Sequence, residues 1–321
     1  MIIPIILLII GLGILILGGE SLVRGASSMA RKLGVKPLVV GLTVVAFGTS
    51  MPELVVNIFS AIGGNTDIAI GNIIGSNIAN ILLILGISAI IFPLTVQKGT
   101  TWKEIPLALL AAVLIFIMGN DLFFDGVSNN ALTRTDGLAL IAFFIIFLYY
   151  TFGIAKVEGD ISEGKDEQKK YTWPVSIGFT LAGVLLLFIG GKILVDNAVI
   201  LAKLAGMSEA LIGLTIVAIG TSLPELITSV IAALKKESDI AVGNVIGSNI
   251  FNIFWILGFT ATLSPLPFIP QMGFDVIINI IATLLLFFFM FVSGKHKLDR
   301  AEGVFFVLAY ISYVSFLIYR G

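Results

Sequence analysis

The feature that most constrains this chain is a series of apolar runs, each about 20 residues long, that recurs over the whole sequence. A helix of that length crosses the hydrocarbon layer of a membrane, where every backbone polar group must be satisfied internally. Hydrophobic residues make up 58% of the 321 residues and charged residues 12%, which excludes an ordinary soluble domain. The sequence therefore predicts an all-α polytopic membrane protein with ten transmembrane helices. Their predicted centres lie near residues 12, 50, 82, 112, 146, 184, 221, 253, 283 and 311.

The charges of the chain predict its orientation in the membrane. With the N-terminus outside, 15 of the 19 basic residues fall in inner loops, so the positive-inside rule places both termini outside a cell (plasma) membrane and residues 156–172 in the cytoplasm. The first apolar run lacks a basic start and a clear cleavage site, and we interpret it as a retained span. A net charge of −1 predicts no nucleic-acid partner, and the absence of cysteine excludes disulfides and thiolate metal sites.

One segment of the chain occurs twice. The sequence GLTVVAFGTSMPEL, which begins at Gly41, returns as GLTIVAIGTSLPEL at Gly213, 172 residues later. Aligning residues 41–80 with 213–252 gives 23 identities in 40 positions without a gap, and the match includes GNIIGSNIAN and GNVIGSNIFN. Apolar composition alone would produce far fewer identities, so the chain contains an internal repeat.

Each copy of the repeat contains five predicted spans, and an odd number means that the second copy enters the membrane from the opposite side. Inverted repeats with broken helices that meet near the bilayer midplane are typical of secondary transporters. The predicted organisation has a first transmembrane repeat at 1–155, a charged cytoplasmic linker at 156–172 and a second, inverted repeat at 173–321.

The first repeated signature is GTSMPE at 48–53 and GTSLPE at 220–225. Proline breaks the helix and frees the carbonyl oxygens just before it, while the threonine and serine beside it add hydroxyl oxygens. Glu53 and Glu225 lie near the middle of their spans, where an unpaired acid costs at least about 2.5 kcal/mol. No basic side chain lies in a span centre, so bound cations, or protons in their absence, are the expected compensation.

The second signature places Ser76 and Asn80 four residues apart, and Ser248 and Asn252 likewise, so each pair shares a helix face. Carboxylates, hydroxyls, amides and freed carbonyls together make an all-oxygen site, which suits Ca²⁺ and Na⁺. Two ionised glutamates offset one Ca²⁺ or two Na⁺, so the two loads should exclude each other, as antiport requires. The residue between them, Asn77 or Asn249, is either a further ligand or a hydrogen-bonded bridge between helices.

With these two signatures the chain resembles the cation/Ca²⁺ antiporter superfamily, specifically its Na⁺/Ca²⁺ exchanger type. The resemblance implies a core of the second, third, seventh and eighth helices around adjacent cation positions, with the first and sixth as a sliding pair. It also implies the ligands, of which Ala46 and Ala218 would act through backbone carbonyls. The implied set is Glu53, Glu225, Thr49, Thr221, Ser50, Ser222, Ser76, Ser248, Asn80, Ala46 and Ala218. Asn252, the remaining candidate, stands where potassium-dependent members carry aspartate, which argues against K⁺ co-transport.

These features predict a secondary antiporter that exchanges Na⁺ for Ca²⁺ by alternating access, not an enzyme, with no cofactor. Its expected partners are Ca²⁺, Na⁺ and the lipid bilayer, and a monomer is the expected state. An H⁺/Ca²⁺ antiporter on the same fold is the alternative, although the proton-coupled branch of the superfamily resembles GN-x-x-E at the first signature. A cation channel lacks a pore loop here, and an intramembrane hydrolase using Ser50 and Glu53 lacks a base within reach.

Overall fold

The computed structural model describes residues 2–64, 66–124, 126, 130–153, 171–204, 218–292 and 296–320. Over this part of the chain, eight helices are long and apolar enough to cross a membrane, and a bent helix pair forms a ninth span. The helices are α1 (Ile2–Leu33), α2 (Pro37–Thr49), α3 (Met51–Ile62), α4 (Ile68–Ile91), α5 (Lys98–Met118), α6 (Asp121–Phe124), α7 (Arg134–Gly153), α8 (Trp173–Leu204), α9 (Ala218–Thr221), α10 (Leu223–Leu234), α11 (Ser238–Leu263), α12 (Pro270–Phe289) and α13 (Arg300–Arg320).

The all-helical membrane fold predicted from the sequence is confirmed. Each predicted span centre falls within a helix or at the junction of a helix pair. The centre near residue 221 falls where α9 meets α10, and the chain just before α9, at 205–217, lies outside the described residues. Most of the predicted linker, at 156–170, also lies outside them.

Two helix breaks interrupt the repeats at equivalent positions. Between α2 and α3 the backbone of Ser50 leaves helical geometry, with φ −82° and ψ 7°, and the two helices are bent by 46°. Ser222, between α9 and α10, has φ −87° and ψ 5°. Pro52 and Pro224 occupy the following turn, and because proline has no N–H, the preceding turn loses a hydrogen-bond donor. The breaks that the two PE motifs predict are therefore present.

Short strands join the ends of the two repeats reciprocally. Strand β1 (Leu94–Thr95) pairs antiparallel with β4 (Lys297–Leu298), and β2 (Ala131–Leu132) pairs antiparallel with β3 (Leu266–Pro267). The first and third strands follow α4 and α11, which are equivalent helices of the two copies. Each copy thus pairs its third-span exit with the entry to the last span of the other, as expected for two halves related by a pseudo-two-fold axis.

Helices α1 and α8 pack antiparallel along a stripe of glycines. Gly11 and Gly18 on α1 face the backbone nitrogens of Leu194 and Leu187, each 2.8 Å from where a Cβ would stand. Moving seven residues forward on α1, from Gly11 to Gly18, corresponds to moving seven residues backward on α8, from Leu194 to Leu187. The close contact therefore repeats every two helical turns. Glycine permits this approach because it has no Cβ to hold the two backbones apart.

The centre of the bundle is formed by α4 and α11, which are largely buried, whereas α1, α7, α8 and α13 expose most of their length. Both central helices widen locally into π-helical turns, at Asn80–Leu85 and at Phe251–Leu257. Such turns shift the helix face and often mark functional positions. Each begins at or just before an asparagine of the second signature, Asn80 and Asn252.

Candidate cation-binding site

Two acidic side chains occupy the first turns after the helix breaks. Glu53 lies in the first turn of α3 and Glu225 in the first turn of α10, and they are only 1% and 0% exposed. The free N–H groups of a helix N-terminus favour a carboxylate at this position. No ion pair among the described residues includes either acid. The prolines thus place two carboxylates in the protein interior without a basic partner.

The repeats contact each other's acid through serine hydroxyls. Ser50 of the first repeat donates a hydrogen bond of 3.1 Å to Glu225 Oε1, which also accepts one of 3.4 Å from Ser248. On the opposite side, Ser76 donates to Glu53 Oε1 at 3.4 Å. Ser222 of the second repeat donates in turn to Ser76 Oγ at 3.1 Å. All four serines and both glutamates that the sequence analysis singled out therefore meet in one buried cluster.

Four of the ligands predicted from the sequence carry a buried side-chain oxygen that has no hydrogen-bond partner among the described residues. These oxygens are Oε2 of Glu53 and Glu225 and Oδ1 of Asn80 and Asn252. Each of these atoms can only accept, provided that the acids are ionised. Buried acceptors are normally paired, and leaving one unpaired costs about 1–3 kcal/mol. A hard cation is the partner that four such oxygens fit.

The amides of Asn80 and Asn252 are oriented by a second pair of asparagines. Asn77 and Asn249 donate to each other's backbone carbonyl, both at 3.2 Å. Their side-chain oxygens then accept from the Asn252 amide at 3.0 Å and from the Asn80 amide at 2.9 Å. Of the two roles that the sequence left open for Asn77 and Asn249, the structure has the bridge between helices. The bridge thus engages the amide nitrogens of Asn80 and Asn252, while their side-chain oxygens have no hydrogen-bond partner among the described residues.

The two threonines of the first signature are held by asparagines that the sequence analysis missed. Thr49 Oγ1 donates to Asn244 Oδ1 at 3.0 Å, and Thr221 Oγ1 donates to Asn72 Oδ1 at 3.2 Å. These contacts join residues 195 and 149 positions apart in the chain. The signal was available, because both asparagines recur in register as the second letter of GN-x-x-GSN.

Ala46 and Ala218 lie one turn before the breaks, at the start of the last helical turn of α2 and of α9. The Ala46 carbonyl accepts from the Ser50 N–H at 3.0 Å and from Thr49 Oγ1 at 3.3 Å. Both carbonyls remain predicted ligands. Among the described residues no cluster of three or more His, Cys, Asp and Glu side chains could hold a metal ion, so neutral oxygens must complete any coordination shell around the two acids.

A cavity of about 260 Å³ adjoins the cluster between α8 and the broken helices. Its walls include Pro52, Thr221 and Pro224, and its rim carries the ion pair of Lys192 with Asp196. These two rim side chains are 66% and 56% exposed, so the cavity reaches the surface. At the other end of the cluster Thr49 is fully buried. Among the described residues, this cavity borders the cluster at Thr221, whereas Thr49 has no exposed surface.

We expect Asn244→Ala to raise the Ca²⁺ concentration that gives half-maximal uptake about fivefold. This factor is the equivalent of about 1 kcal/mol for one hydrogen bond. The reason is that Thr49 then loses the acceptor that orients its hydroxyl. Asn72→Ala, the equivalent change at Thr221, should have a similar effect. Ser312→Ala is the control, because that hydroxyl only bonds its own helix at Leu308. Half-maximal uptake at an unchanged Ca²⁺ concentration in both asparagine variants would contradict the orienting role.

Comparison with known proteins places this geometry among ion exchangers. A family model described as sodium/calcium exchanger protein matches residues 3–153 and 175–319. The chain is 31% identical to the sodium/calcium exchanger MaX1 of Methanosarcina acetivorans over 98% of both chains. It is also 38% identical to the inner membrane protein YrbG of Escherichia coli, over 81% of this chain and 79% of that protein.

The fold matches a solved structure of the sodium-calcium exchanger NCX_Mj, soaked with Na⁺ and Ca²⁺, with a TM-score of 0.84. That match covers 98% of both chains at 32% sequence identity. The agreement extends over both repeats, so it includes the broken helices and the central pair α4 and α11.

Proposed function

Because this chain belongs to the sodium/calcium exchanger family of membrane transporters, we propose that it is an antiporter that moves Ca²⁺ against Na⁺ across the membrane. The ions would bind at the buried cluster of Glu53 and Glu225, with the serine, threonine, asparagine and alanine oxygens of the two signatures around them. The observation that carries the proposal is the set of four buried oxygen acceptors without a partner, two of them carboxylate. The sodium/calcium exchanger MaX1, similar over nearly its whole length, supports the choice of ions.

The charge of the cluster supports exchange over simple uptake. Two ionised carboxylates balance one Ca²⁺ or two Na⁺, and a second load at the same place would be repelled at short range. The hydroxyl and amide oxygens are neutral ligands, so they can coordinate either Ca²⁺ or Na⁺ without changing this charge balance. One load must therefore leave before the other is bound, and this mutual exclusion at a single site is the basis of antiport.

The symmetry of the cluster supports alternating access. Several contacts across the repeats are reciprocal: Asn77 and Asn249 bridge to each other, and the bond of Thr49 to Asn244 corresponds to that of Thr221 to Asn72. Tilting the two halves relative to each other would therefore close one approach and open an equivalent one. In the present arrangement the cavity borders the cluster at Thr221. Both threonines are buried here, Thr221 at 9% exposure and Thr49 at 0%. The reverse arrangement would place the cavity beside Thr49 and remove it from Thr221.

Coupling to protons is the second candidate. The observation that favours it is that neither acid has a basic partner among the described residues, so protons could also neutralise the pair when Ca²⁺ leaves. The first signature reads GTSMPE and GTSLPE in place of the GN-x-x-E that the proton-coupled branch resembles, and this supports Na⁺ over protons as the counter-ion.

The deciding experiment measures isotopic Ca²⁺ uptake into proteoliposomes under separately imposed Na⁺, K⁺ and H⁺ gradients. We expect uptake to follow an outward Na⁺ gradient, to ignore K⁺ and to respond weakly to pH. Empty liposomes and liposomes with equal Na⁺ on both sides are the controls. Uptake that follows the pH gradient and ignores Na⁺ would replace the proposal with H⁺/Ca²⁺ exchange.

We also propose that both termini lie outside the cell membrane and that 156–172 is cytoplasmic, with the two repeats bounded as 1–155 and 173–321. The similarity to an inner membrane protein supports the compartment, and the distribution of basic residues supports the orientation.

Because the chain has no cysteine, a single introduced cysteine reports the side of the membrane on which it lies. We expect an impermeant thiol reagent to label Ser128→Cys in intact cells and Ser162→Cys only after permeabilisation. The opposite labelling would reverse the orientation.

A further inference from the structure

A second cavity, of about 270 Å³, lies away from the cation site at the ends of three helices. It is bounded by the C-terminal half of α1, by Tyr171 just before α8, and by the residues that follow α10. Three basic side chains line it, and one carboxylate, Glu237, stands against them. The basic residues are Arg24, Arg31 and Lys235. The cavity therefore carries a net positive charge that the cation-exchange site does not use.

Among the described residues, part of that charge is only weakly compensated. Glu20 pairs with Arg24 at 2.5 Å and forms a longer ion pair with Lys235 Nζ at 3.7 Å, so one carboxylate is shared between two cations. Lys235 Nζ is buried and makes no hydrogen bond among the described residues. Burial lowers the pKa of Lys235, and the neighbouring carboxylates of Glu20 and Glu237 offset this only in part.

A buried hydroxyl in the same wall is also unpaired. Ser27 is 3% exposed, lines the cavity, and its Oγ has no hydrogen-bond partner among the described residues. It lies between Arg24 and Arg31 on α1, so the three side chains share one side of that helix at spacings of three and four residues. Guanidinium, ammonium and hydroxyl groups are all donors, and together they suit an anion with several acceptor oxygens.

The position of the cavity narrows the chemistry of that anion. Arg31 is in the last turn of α1 and Lys235 directly follows α10, so both lie where helices leave the membrane. A tyrosine at the rim, Tyr171, is a residue type enriched at the membrane–water boundary. Phosphate groups are concentrated there as lipid headgroups, and arginine binds them through paired N–H groups.

We propose that this cavity binds a phosphate-bearing anion between α1 and α10, through Arg24, Arg31, Lys235 and the hydroxyl of Ser27. The same chemistry is offered by the headgroup of an anionic phospholipid and by free phosphate. Because α10 carries Glu225 and α1 packs on α8, the anion would tie a helix of the cation cluster to the outer helix pair. The proposal does not depend on which ions the protein exchanges.

The test is thermal unfolding of the purified full chain in neutral detergent. Short-chain phosphatidylglycerol is titrated in, with phosphatidylcholine of the same chain length and inorganic phosphate at constant ionic strength as separate arms. A ligand that binds only the folded protein raises the midpoint of unfolding with its concentration. We expect phosphatidylglycerol or phosphate, but not phosphatidylcholine, to raise it. A rise with phosphatidylglycerol alone identifies a lipid headgroup, and an equal rise with phosphate identifies the free anion.

Variants separate a built site from general surface charge. Arg31→Gln and Lys235→Gln should each raise about tenfold the anion concentration needed for a given rise of the unfolding midpoint. This is the effect expected for loss of one charge-assisted hydrogen bond. Lys32→Gln is the matched control, because it removes the same charge from the same turn while its ammonium lies over Trp173, 5.6 Å from the ring centre. No shift with either anion would overturn the proposal. So would a loss in Lys32→Gln equal to that in Arg31→Gln, or an unchanged response in both cavity variants.

Discussion

Ca²⁺ uptake driven by a Na⁺ gradient should fall to the background of empty liposomes in Glu53→Gln, and equally in Glu225→Gln. Each change removes one of the two charges that balance a divalent ion and leaves the volume and the hydrogen-bonding oxygen of the side chain in place. A single remaining carboxylate offsets only half of the charge of Ca²⁺ in a buried site, where the uncompensated half is costly. The measurement is initial isotopic Ca²⁺ uptake into proteoliposomes loaded with Na⁺.

The same variants should remain folded, and their stability separates loss of function from loss of structure. In the absence of Ca²⁺ and Na⁺, an unpaired acid in the membrane interior costs at least about 2.5 kcal/mol, and glutamine removes much of that cost. We therefore expect unfolding midpoints in ion-free buffer at or above that of the unchanged protein. Added Ca²⁺ should stabilise the unchanged protein and should no longer stabilise either variant.

Glu104→Gln is the matched control for both acids. Glu104 is also buried, at 1% exposure, but it lies on α5, outside the cluster, and accepts a hydrogen bond of 2.6 Å from Tyr150. A glutamine oxygen can accept the same bond, so Ca²⁺ uptake should persist. Exchange retained in Glu53→Gln or Glu225→Gln would remove the acids from the transport site. Loss of exchange in Glu104→Gln as well would mean that the assay reports general damage.

Gly183→Ala should abolish tight packing of α8 on α1 and reduce Ca²⁺ uptake at least about tenfold, as expected for overpacking that costs 1–3 kcal/mol. A Cβ at Gly183 would stand 2.5 Å from the backbone nitrogen of Leu22 and 2.7 Å from its Cα. Backbone atoms cannot rotate away as side-chain ends can, so the two helices would have to separate. We expect a lower unfolding midpoint in detergent together with the loss of uptake.

The control for this prediction lies on the same helix. A Cβ at Gly178 would meet no atom of the described residues within 4 Å, so Gly178→Ala changes helix propensity without crowding. Alanine is the better helix former, so the unfolding midpoint should stay the same or rise slightly. Equal behaviour of Gly178→Ala and Gly183→Ala in both measurements would show that the close approach of α1 and α8 does not control stability or transport.

The acids and the breaks could be predicted from the sequence because their causes are local. A proline removes its own N–H wherever it lies, so Pro52 and Pro224 were sufficient to predict the two interruptions. A glutamate in the middle of a 20-residue apolar run is costly whatever its neighbours are, so Glu53 and Glu225 were identified as candidates for charge compensation. The gapless duplication and the odd number of spans then predicted two inverted halves.

Which side chains hydrogen-bond to each other could not be predicted from the sequence. From the sequence, Asn77 could be either a ligand or a bridge, because an amide offers both a donor and an acceptor and its partner decides which is used. That partner, Asn249, lies 172 residues away. Asn72 and Asn244 occupy equivalent positions of the two copies, but their role could not be predicted. The threonine that each of them binds belongs to the opposite copy, so no neighbouring residue in the chain indicates the contact.

By itself, then, the amino-acid sequence determined the class of the protein, the repeat, the helix breaks and the two buried acids. The class follows from composition and the repeat from comparison of two segments, while the breaks and the acids follow from what a residue does within its own helix. Only the tertiary structure decided which oxygens stay unpaired, because that depends on which donors the opposite repeat presents. It also decided that a cavity borders the buried cluster at Thr221 while Thr49 has no exposed surface, and that α1 lies too close to α8 to admit a Cβ at Gly183. Those are distances between segments far apart in the chain, and packing alone sets them.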